Sequence, residues 1–177
     1  MRIWWTIEAL SLAAALLLAT NAGAQDRPCH SEAHEVAGPL VGRWHEFTIT
    51  PAGEVFEGEL RSALEADGCA FVQSFMSADG AFTFRSLGYV RADRGAWVEQ
   101  FVLSNGQAAV YEWALDGSDI LLNRLQSGPD RFRLRITELE QDSYLVIEER
   151  QNAGASEWTP GERTVTRRVG SPGPGDL

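Results

Sequence analysis

The sequence predicts an all-β protein, built as a single antiparallel up-and-down meander that closes into a barrel of about 8 to 10 strands. Between residues 69 and 152, short apolar and aromatic runs alternate with turn signals such as Asn105-Gly106. Such dipeptides supply the positive φ angles that tight hairpins need, and the turn signals recur about every 8 to 12 residues. The helical signal is weak everywhere, and only residues 31–36 combine a serine with helix formers.

Alternation of apolar and polar residues divides the chain into ten predicted strands. In chain order these strands cover residues 40–50, 56–65, 69–77, 81–91, 96–103, 108–115, 120–125, 131–139, 144–151 and 162–169. Closure into a barrel would remove the exposed strand edges that promote aggregation. A sandwich of two sheets would use the same pattern, so it stays open as an alternative.

Residues 1–24 are predicted to be a signal peptide that is cleaved on export. Arg2 gives a positively charged start, residues 10–19 form an apolar core, and a small-residue cleavage site ends at Ala24. The apolar core is too short to span a bilayer, so no membrane span is expected after cleavage. The expected location is therefore periplasmic or secreted.

The rest of the chain is predicted to contain one domain. A loose N-terminal segment covers residues 25–39, the barrel covers 40–169, and a disordered tail rich in Gly and Pro covers 170–177. Cys29 and Cys69 are the only cysteines, and an oxidising compartment favours their pairing as a disulfide. A reactive thiol is the alternative, but it needs a basic neighbourhood that the sequence around Cys69 does not provide.

The formal net charge of −10 argues against two classes of partner. An acidic surface repels nucleic acid and anionic lipid, so neither is expected to bind. All basic residues are arginines, and Arg131, Arg133 and Arg135 share one face of a predicted strand. We interpret this stripe as a solvated face beside acidic neighbours, with an anion-binding stripe as the alternative.

The histidines do not predict a metal site. His30 and His34 are four residues apart, which on a helical turn could present two imidazoles to one metal ion. The segment is short and has no third fixed ligand, so plain solvent exposure or adventitious binding is expected. His45 is interpreted as an ordinary strand residue beside Trp44.

A G-x-W motif at residues 42–44 opens the first predicted strand, just after the N-terminal segment. This placement resembles the motif that begins the first strand of lipocalins and the wider calycin-type barrels. In that family the tryptophan closes one end of the barrel, and an arginine from a late strand lies across its indole. The resemblance implies this role for Trp44, with Arg163, Arg167 or Arg168 above the ring.

The stretch 88–117 is also similar to uncharacterised bacterial secreted proteins of lipocalin-like fold, and the resemblance as a whole spans residues 40–169. The second and third lipocalin motifs are not evident. The C-terminal haem histidine of nitrobindin-like barrels is missing too, since all three histidines precede residue 46. No cofactor is therefore expected.

Period-two alternation predicts which side chains could face the lumen. Several apolar rows each contain one polar residue, and an Arg–carboxylate pair inside the lumen would need good geometry to persist. The candidate ligand-binding residues are Trp44, Gln73, Phe75, Trp97, Glu99, Phe101, Tyr111, Trp113, Arg124 and Glu149. The alternative is a filled core, with the polar residues reaching water at strand ends.

No catalytic residues are predicted, because neither a G-x-S-x-G elbow nor a zinc signature occurs. The expectation is a non-enzymatic, exported lipocalin-like barrel that carries or senses a small, mostly apolar molecule. The alternative is a structural or protein-interaction module with a solid barrel, whose protein partner the sequence does not identify. An enzyme acting in the lumen would show a strongly perturbed carboxylate facing a cavity.

Overall fold

The computed structural model describes Cys29, residues 32–126 and residues 128–170. The expected signal peptide, His30 of the histidine pair, and residues 171–177 of the expected tail lie outside the described residues. No helix in the described part of the chain has the length and apolar character needed to cross a membrane.

Ten antiparallel strands form one closed barrel, which confirms the predicted all-β, up-and-down fold. The strands are β1 (Gly42–Thr50), β2 (Gly53–Glu65), β3 (Ala70–Ser77), β4 (Thr83–Arg91), β5 (Ala96–Leu103), β6 (Ala108–Asp116), β7 (Asp119–Arg124), β8 (Arg131–Thr137), β9 (Ser143–Gln151) and β10 (Thr159–Arg168). Each strand pairs with the next, and β1 also pairs with β10, so the sandwich alternative is excluded. Within the described residues, the helical part is a single turn, α1 (Glu32–Glu35), with short 3₁₀ helices at Gly38–Leu40 and Ala66–Gly68.

The two ends of the barrel differ. At the end where β1 begins, which we call the closed end, residues 32–40 lie across the barrel. Ala37 and Leu40 are buried there, and the indole Nε1 of Trp97 donates a hydrogen bond to the carbonyl oxygen of Ala33 at 2.6 Å. At the other end, which we call the open end, β1 finishes at Thr50.

Trp44 lies in the packed interior next to the closed end. Its Nε1 donates to the carbonyl of Leu40 at 3.0 Å, and its ring meets that of Tyr144 edge-on with centroids 5.0 Å apart. The guanidinium of Arg168 lies 4.0 Å from the indole centroid and donates to the carbonyl of Val41 at 2.9 Å. The cation–π contact implied by the resemblance is therefore present, and Arg168 provides it.

A disulfide joins Cys29 to Cys69, as predicted, across a sequence separation of 40 residues. It ties the N-terminal segment to the start of β3. A cross-link that closes a long loop stabilises the fold mainly by restricting the unfolded chain. The bond therefore holds the segment that covers the closed end.

The arginine stripe on β8 lies on the outer face of the barrel beside acidic partners. Arg133 Nε is 2.5 Å from a carboxylate oxygen of Glu149, and Arg135 contacts Asp119 at 2.6 Å and Asp116 at 3.1 Å. These contacts confirm the expected acidic neighbours. The stripe is not solvated along its length, since the side chains of Arg133 and Arg135 are only 12 % and 19 % exposed.

Candidate functional site

A cavity of about 450 Å³ extends through the barrel from the open end as far as Leu40 and Tyr144 near the closed end. Ligand sites typically enclose a few hundred to about 1,000 Å³, so this volume is large enough for a small molecule. Its apolar lining consists of Leu40, Leu60, Phe75, Phe82, Phe84, Phe101, Trp113, Leu122, Leu134, Ile136 and Val146, together with the ring of Tyr144. The filled-core alternative therefore holds only for the part of the interior around Trp44, Phe71 and Trp97, which are buried beside the closed end.

Four aromatic side chains cover one side of this cavity, and we call them the aromatic wall: Phe75, Phe82, Phe84 and Phe101. The rings of Phe75 and Phe84 stack with centroids 5.4 Å apart, and Phe101 meets Phe84 edge-on at 5.3 Å. The wall belongs to β3, β4, β5 and the turn between β3 and β4. It gives a bound molecule a continuous apolar surface.

Four glutamates lie on the neighbouring strands, and we call them the acidic wall: Glu46, Glu57, Glu148 and Glu162. They belong to β1, β2, β9 and β10, which are adjacent in the order β9-β10-β1-β2. A fifth glutamate, Glu99 on β5, also lines the cavity. No arginine or histidine occurs among the described residues that line it.

A β-bulge turns Glu57 towards the lumen. Glu46 lies opposite Gly58 and Phe47 lies opposite Phe56, so Glu57 is an extra residue in β2. Such an insertion shifts the alternation of faces and re-aims a side chain. Phe56 stays on the outside, where its ring lies 5.5 Å from that of Phe47, and Glu57 joins the cavity lining.

A second bulge lies in β10, but it does not re-aim Glu162. Pro160 lies opposite Glu149 and Arg163 lies opposite Ile147, which leaves one extra residue between them. Glu162 follows the regular alternation of Thr164 and Thr166 on the inner face, and it lines the cavity together with Glu148 on the paired strand. Repulsion between these two carboxylates contributes to raising the pKa of Glu148, after the larger effect of burial.

Gly58 is required at the first bulge, because a Cβ atom there would collide with the carbonyl of Met76 and lie 2.9 Å from the Cα of Ser77. We expect Gly58→Ala to lower the free energy of unfolding by about 1 to 3 kcal/mol, as overpacking does in well-packed sites. Urea unfolding followed by fluorescence measures the change. Gly161→Ala at the second bulge is the matched control, since its Cβ would meet its nearest neighbour at 3.6 Å. Equal effects of the two substitutions would contradict the steric argument.

Glu99 is fully buried, with 0 % of its surface exposed. Its carboxylate accepts hydrogen bonds from the Ser86 hydroxyl at 2.5 Å and from the indole Nε1 of Trp113 at 3.1 Å. Burial raises the pKa of Glu99 to about 7, although both hydrogen bonds act to lower it. Glu99 therefore titrates near neutral pH.

Glu46 is the second carboxylate with a shifted pKa. Burial and the nearby carboxylate of Glu57 raise its pKa to about 7. Within the described residues, no donor makes a hydrogen bond or an ion pair to the Glu46 side chain. The phenol of Tyr144, which also lines the cavity, has its pKa raised chiefly by burial. The lumen thus disfavours negative charge on several of its own groups.

Glu99 should make stability depend on pH in a defined direction. Because the folded-state pKa lies above the unfolded value of 4.5, the neutral acid stabilises the fold below about pH 4.5 and this contribution is lost as the pH rises through about 7. Glu99→Gln can keep both hydrogen bonds without ionising. We expect it to match the native protein near pH 4.5 and to exceed its unfolding free energy by about 3 kcal/mol near pH 8.

Urea unfolding at the two pH values measures this difference. Glu112→Gln is the matched control, since Glu112 contacts Arg94 at 2.8 Å outside the cavity. A Glu99→Gln protein that loses stability relative to the native protein as the pH rises would contradict the assigned direction of the shift.

The structure brings half of the sequence-predicted site residues together. Gln73, Phe75, Glu99, Phe101 and Trp113 line the cavity. Trp44, Trp97 and Tyr111 are instead buried in the packed core, outside the cavity lining.

Two of the predicted residues do not line the cavity. Glu149 lies on the outer face and binds Arg133 and Arg135, and its neighbour Glu148 lines the cavity instead. The error arose because both faces of β9 are apolar, so alternation did not identify the inner one. Arg124 shares a face of β7 with Leu122, but it is exposed near the open end, outside the cavity lining. It makes no ion pair with a described carboxylate, so the Arg–carboxylate pair considered for the lumen is not formed among the described residues.

Four lumenal glutamates were missed by the sequence analysis, namely those of the acidic wall. Glu46 could have been found from the alternation that starts at Trp44, since the two share a face. Glu162 could have been found in the same way, since it shares a face of β10 with Thr164 and Thr166. Glu57 could not, because a bulge shifts it relative to the alternation of its strand.

Fold and site together define a class: a closed, ten-stranded up-and-down barrel with a cavity that is aromatic on one side and acidic on the other. A scan against protein-family models and a search of the curated proteins each gave no match.

Proposed function

We propose that this protein binds a small, mostly apolar molecule inside its barrel, as a carrier or sensor. The observation that carries the proposal is the cavity of about 450 Å³, lined largely by aromatic and aliphatic side chains with a few convergent polar groups. Ligand sites typically have this combination. The interaction-module alternative requires a barrel filled with side chains, and the cavity argues against such an interior.

We further propose that the protein is a lipocalin-like barrel that acts in the periplasm or outside the cell. The placement of Trp44 beneath Arg168 supports a lipocalin-like barrel, because it matches the arrangement that the resemblance implies. The Cys29–Cys69 disulfide supports a location in the periplasm or outside the cell, since such bonds persist in oxidising compartments.

A lumenal enzyme is the second candidate function. The specific observation in its favour is that Glu46 and Glu99 face the cavity with pKa values raised to about 7, which suits a general acid or base. The two candidates differ in what happens to the bound molecule. A carrier returns it unchanged, whereas an enzyme converts it.

Native mass spectrometry of protein isolated from the cells that produce it tests the proposal directly. We expect a population whose excess mass corresponds to one small molecule and disappears on denaturation. Incubating the stripped protein with the recovered molecule should restore the same excess mass. A changed mass of the small molecule after this incubation would favour the enzyme.

A titration with octanol gives an independent check that needs no natural ligand. Trp113 lines the cavity, so octanol entering the lumen should change its fluorescence. Trp113→Phe should remove most of that change, while Trp158→Phe, which alters a tryptophan packed on Arg133 outside the cavity, should preserve it. An unchanged spectrum at saturating octanol, together with only the mass of the free protein in native spectra, would rule out lumenal binding.

A further inference from the structure

The acidic wall differs from the rest of the barrel in how its charges are neutralised. On the outer surface, acidic side chains lie against arginines: Glu54 contacts Arg167 at 2.6 Å, and Glu149 contacts Arg133 at 2.5 Å. The lumenal glutamates have no comparable partner among the described residues. The single contact is between Glu148 and Arg150 at 3.9 Å, and the Arg150 side chain is 72 % exposed.

This arrangement leaves negative charge in a cavity that opens at one end of the barrel. Glu99 is completely buried and lines the cavity, and its hydrogen-bond partners among the described residues are neutral donors. Glu46 is partly buried and has no described donor, and Glu57 adds like charge beside it. Withdrawing an ionised carboxylate from water is unfavourable unless a cation accompanies it. None of the described residues that line the cavity supplies such a cation.

We propose that the lumenal ligand carries a positively charged ammonium head on an apolar body, and that the acidic wall binds this head. The inference rests on the proposed lumenal binding and identifies the class of ligand. An ammonium group would be attracted to Glu46 and Glu57 on one side. The apolar body would lie against the aliphatic side chains that line the cavity, such as Leu122 and Leu134.

The aromatic wall is the second feature that fits such a ligand. Phe84 and Phe101 lie on β4 and β5, away from the strands that bear the acidic wall, whereas Phe75 lies on β3, which pairs with β2 beside Glu57. Aromatic faces attract quaternary and protonated ammonium groups, and the attraction strengthens where water is excluded. Metal ions fit less well, since the described residues contain no group of three or more metal-binding side chains placed to hold one. An anionic ligand would meet repulsion from every charged group in the lining.

Three probes with the same eight-carbon chain test the charge preference: octyltrimethylammonium, octanol and octanoate. Each is titrated into the purified protein at about pH 8, above the pKa of about 7 of Glu46 and Glu99, with binding measured by calorimetry and tryptophan fluorescence. We expect the ammonium probe to bind at least about tenfold more tightly than octanol, and octanoate to bind more weakly than either.

Glu→Gln substitutions test whether the acidic wall causes the preference for the ammonium probe. Glu46→Gln and Glu57→Gln should each weaken binding of the ammonium probe by about tenfold and leave octanol binding unchanged. Glu59→Gln is the matched control, because Glu59 lies two residues away on the outer face of β2, 3.8 Å from His45. It removes the same charge from the same strand, and it should not affect either probe.

The outcomes separate this inference from the proposed function. If octanol and the ammonium probe bind with equal affinity, or if Glu59→Gln weakens the ammonium probe as much as Glu57→Gln does, the ammonium inference is overturned while lumenal binding stands. If none of the three probes binds, the proposed function fails and the inference fails with it. Should Glu46→Gln not fold, Glu57→Gln and Glu162→Gln carry the test.

Discussion

Replacing Trp44 with alanine should lower the free energy of unfolding by about 3 to 5 kcal/mol, the range found for deleting a buried large aromatic side chain. Trp44 is 1 % exposed and packs edge-on against Tyr144. The substitution also removes the hydrogen bond to the Leu40 carbonyl and the indole beneath Arg168. A void would open where the N-terminal segment meets the barrel.

Urea unfolding of the native protein and of Trp44→Ala measures this loss. Trp158→Ala is the matched control, since Trp158 stacks on Arg133 at 4.0 Å outside the core. A cation–π contact contributes from about 0.5 to about 2 kcal/mol as it becomes desolvated, so the control should lose less stability than Trp44→Ala. Equal losses for the two variants would show that Trp44 does not hold the closed end together.

Removing the Cys29–Cys69 disulfide should cost about 4 kcal/mol, because the bond closes a loop of some 40 residues and restricts the unfolded chain accordingly. The loss should be concentrated at the closed end. Ala33 and Trp97 meet there through a single hydrogen bond, and the disulfide holds the segment that makes it.

Urea unfolding with and without a reducing agent measures the contribution of the disulfide. The native protein should lose stability on reduction, and the double variant Cys29→Ala, Cys69→Ala should be equally unstable in both conditions. A double variant as stable as the oxidised native protein would mean that the cross-link does not restrict the unfolded chain.

The fold was predictable because each hairpin carries its own local signal. Residues 96–103 were predicted as a strand and form β5 with the same limits. Where limits differ, pairing explains the difference: β2 begins at Gly53, ahead of the predicted start at residue 56, because Gly53 pairs with Thr50 across the turn. Local alternation carries no information on where the partner strand ends.

The lumen was harder to predict, since it depends on which face of each strand points inward. The row of Gln73, Phe75 and Phe71 was identified correctly because its face is the more apolar one. On β9 the outer residues Leu145 and Ile147 are as apolar as the inner Tyr144 and Val146, so the choice failed and Glu149 was taken for Glu148. Bulges also limit the prediction of inward-facing residues. They arise from the pairing of two strands, so alternation along one strand does not reveal them.

The charge of the lumen depends in part on one of these bulges. The bulge at Glu57 places one more carboxylate in the cavity than a regular strand would. A regular β2 would keep Glu57 on the face of Glu59, outside the barrel. Four other glutamates line the cavity by regular alternation, namely Glu46, Glu99, Glu148 and Glu162.

The most direct test of lumenal binding is the position of a marked ligand in crystals of the protein. In crystals soaked with 8-bromooctan-1-ol, anomalous scattering locates the bromine without reference to any expected pose. We predict a bromine peak inside the barrel, between the aromatic wall and the acidic wall. Bromine peaks confined to the outer surface, with the lumen occupied by water alone, would contradict the account.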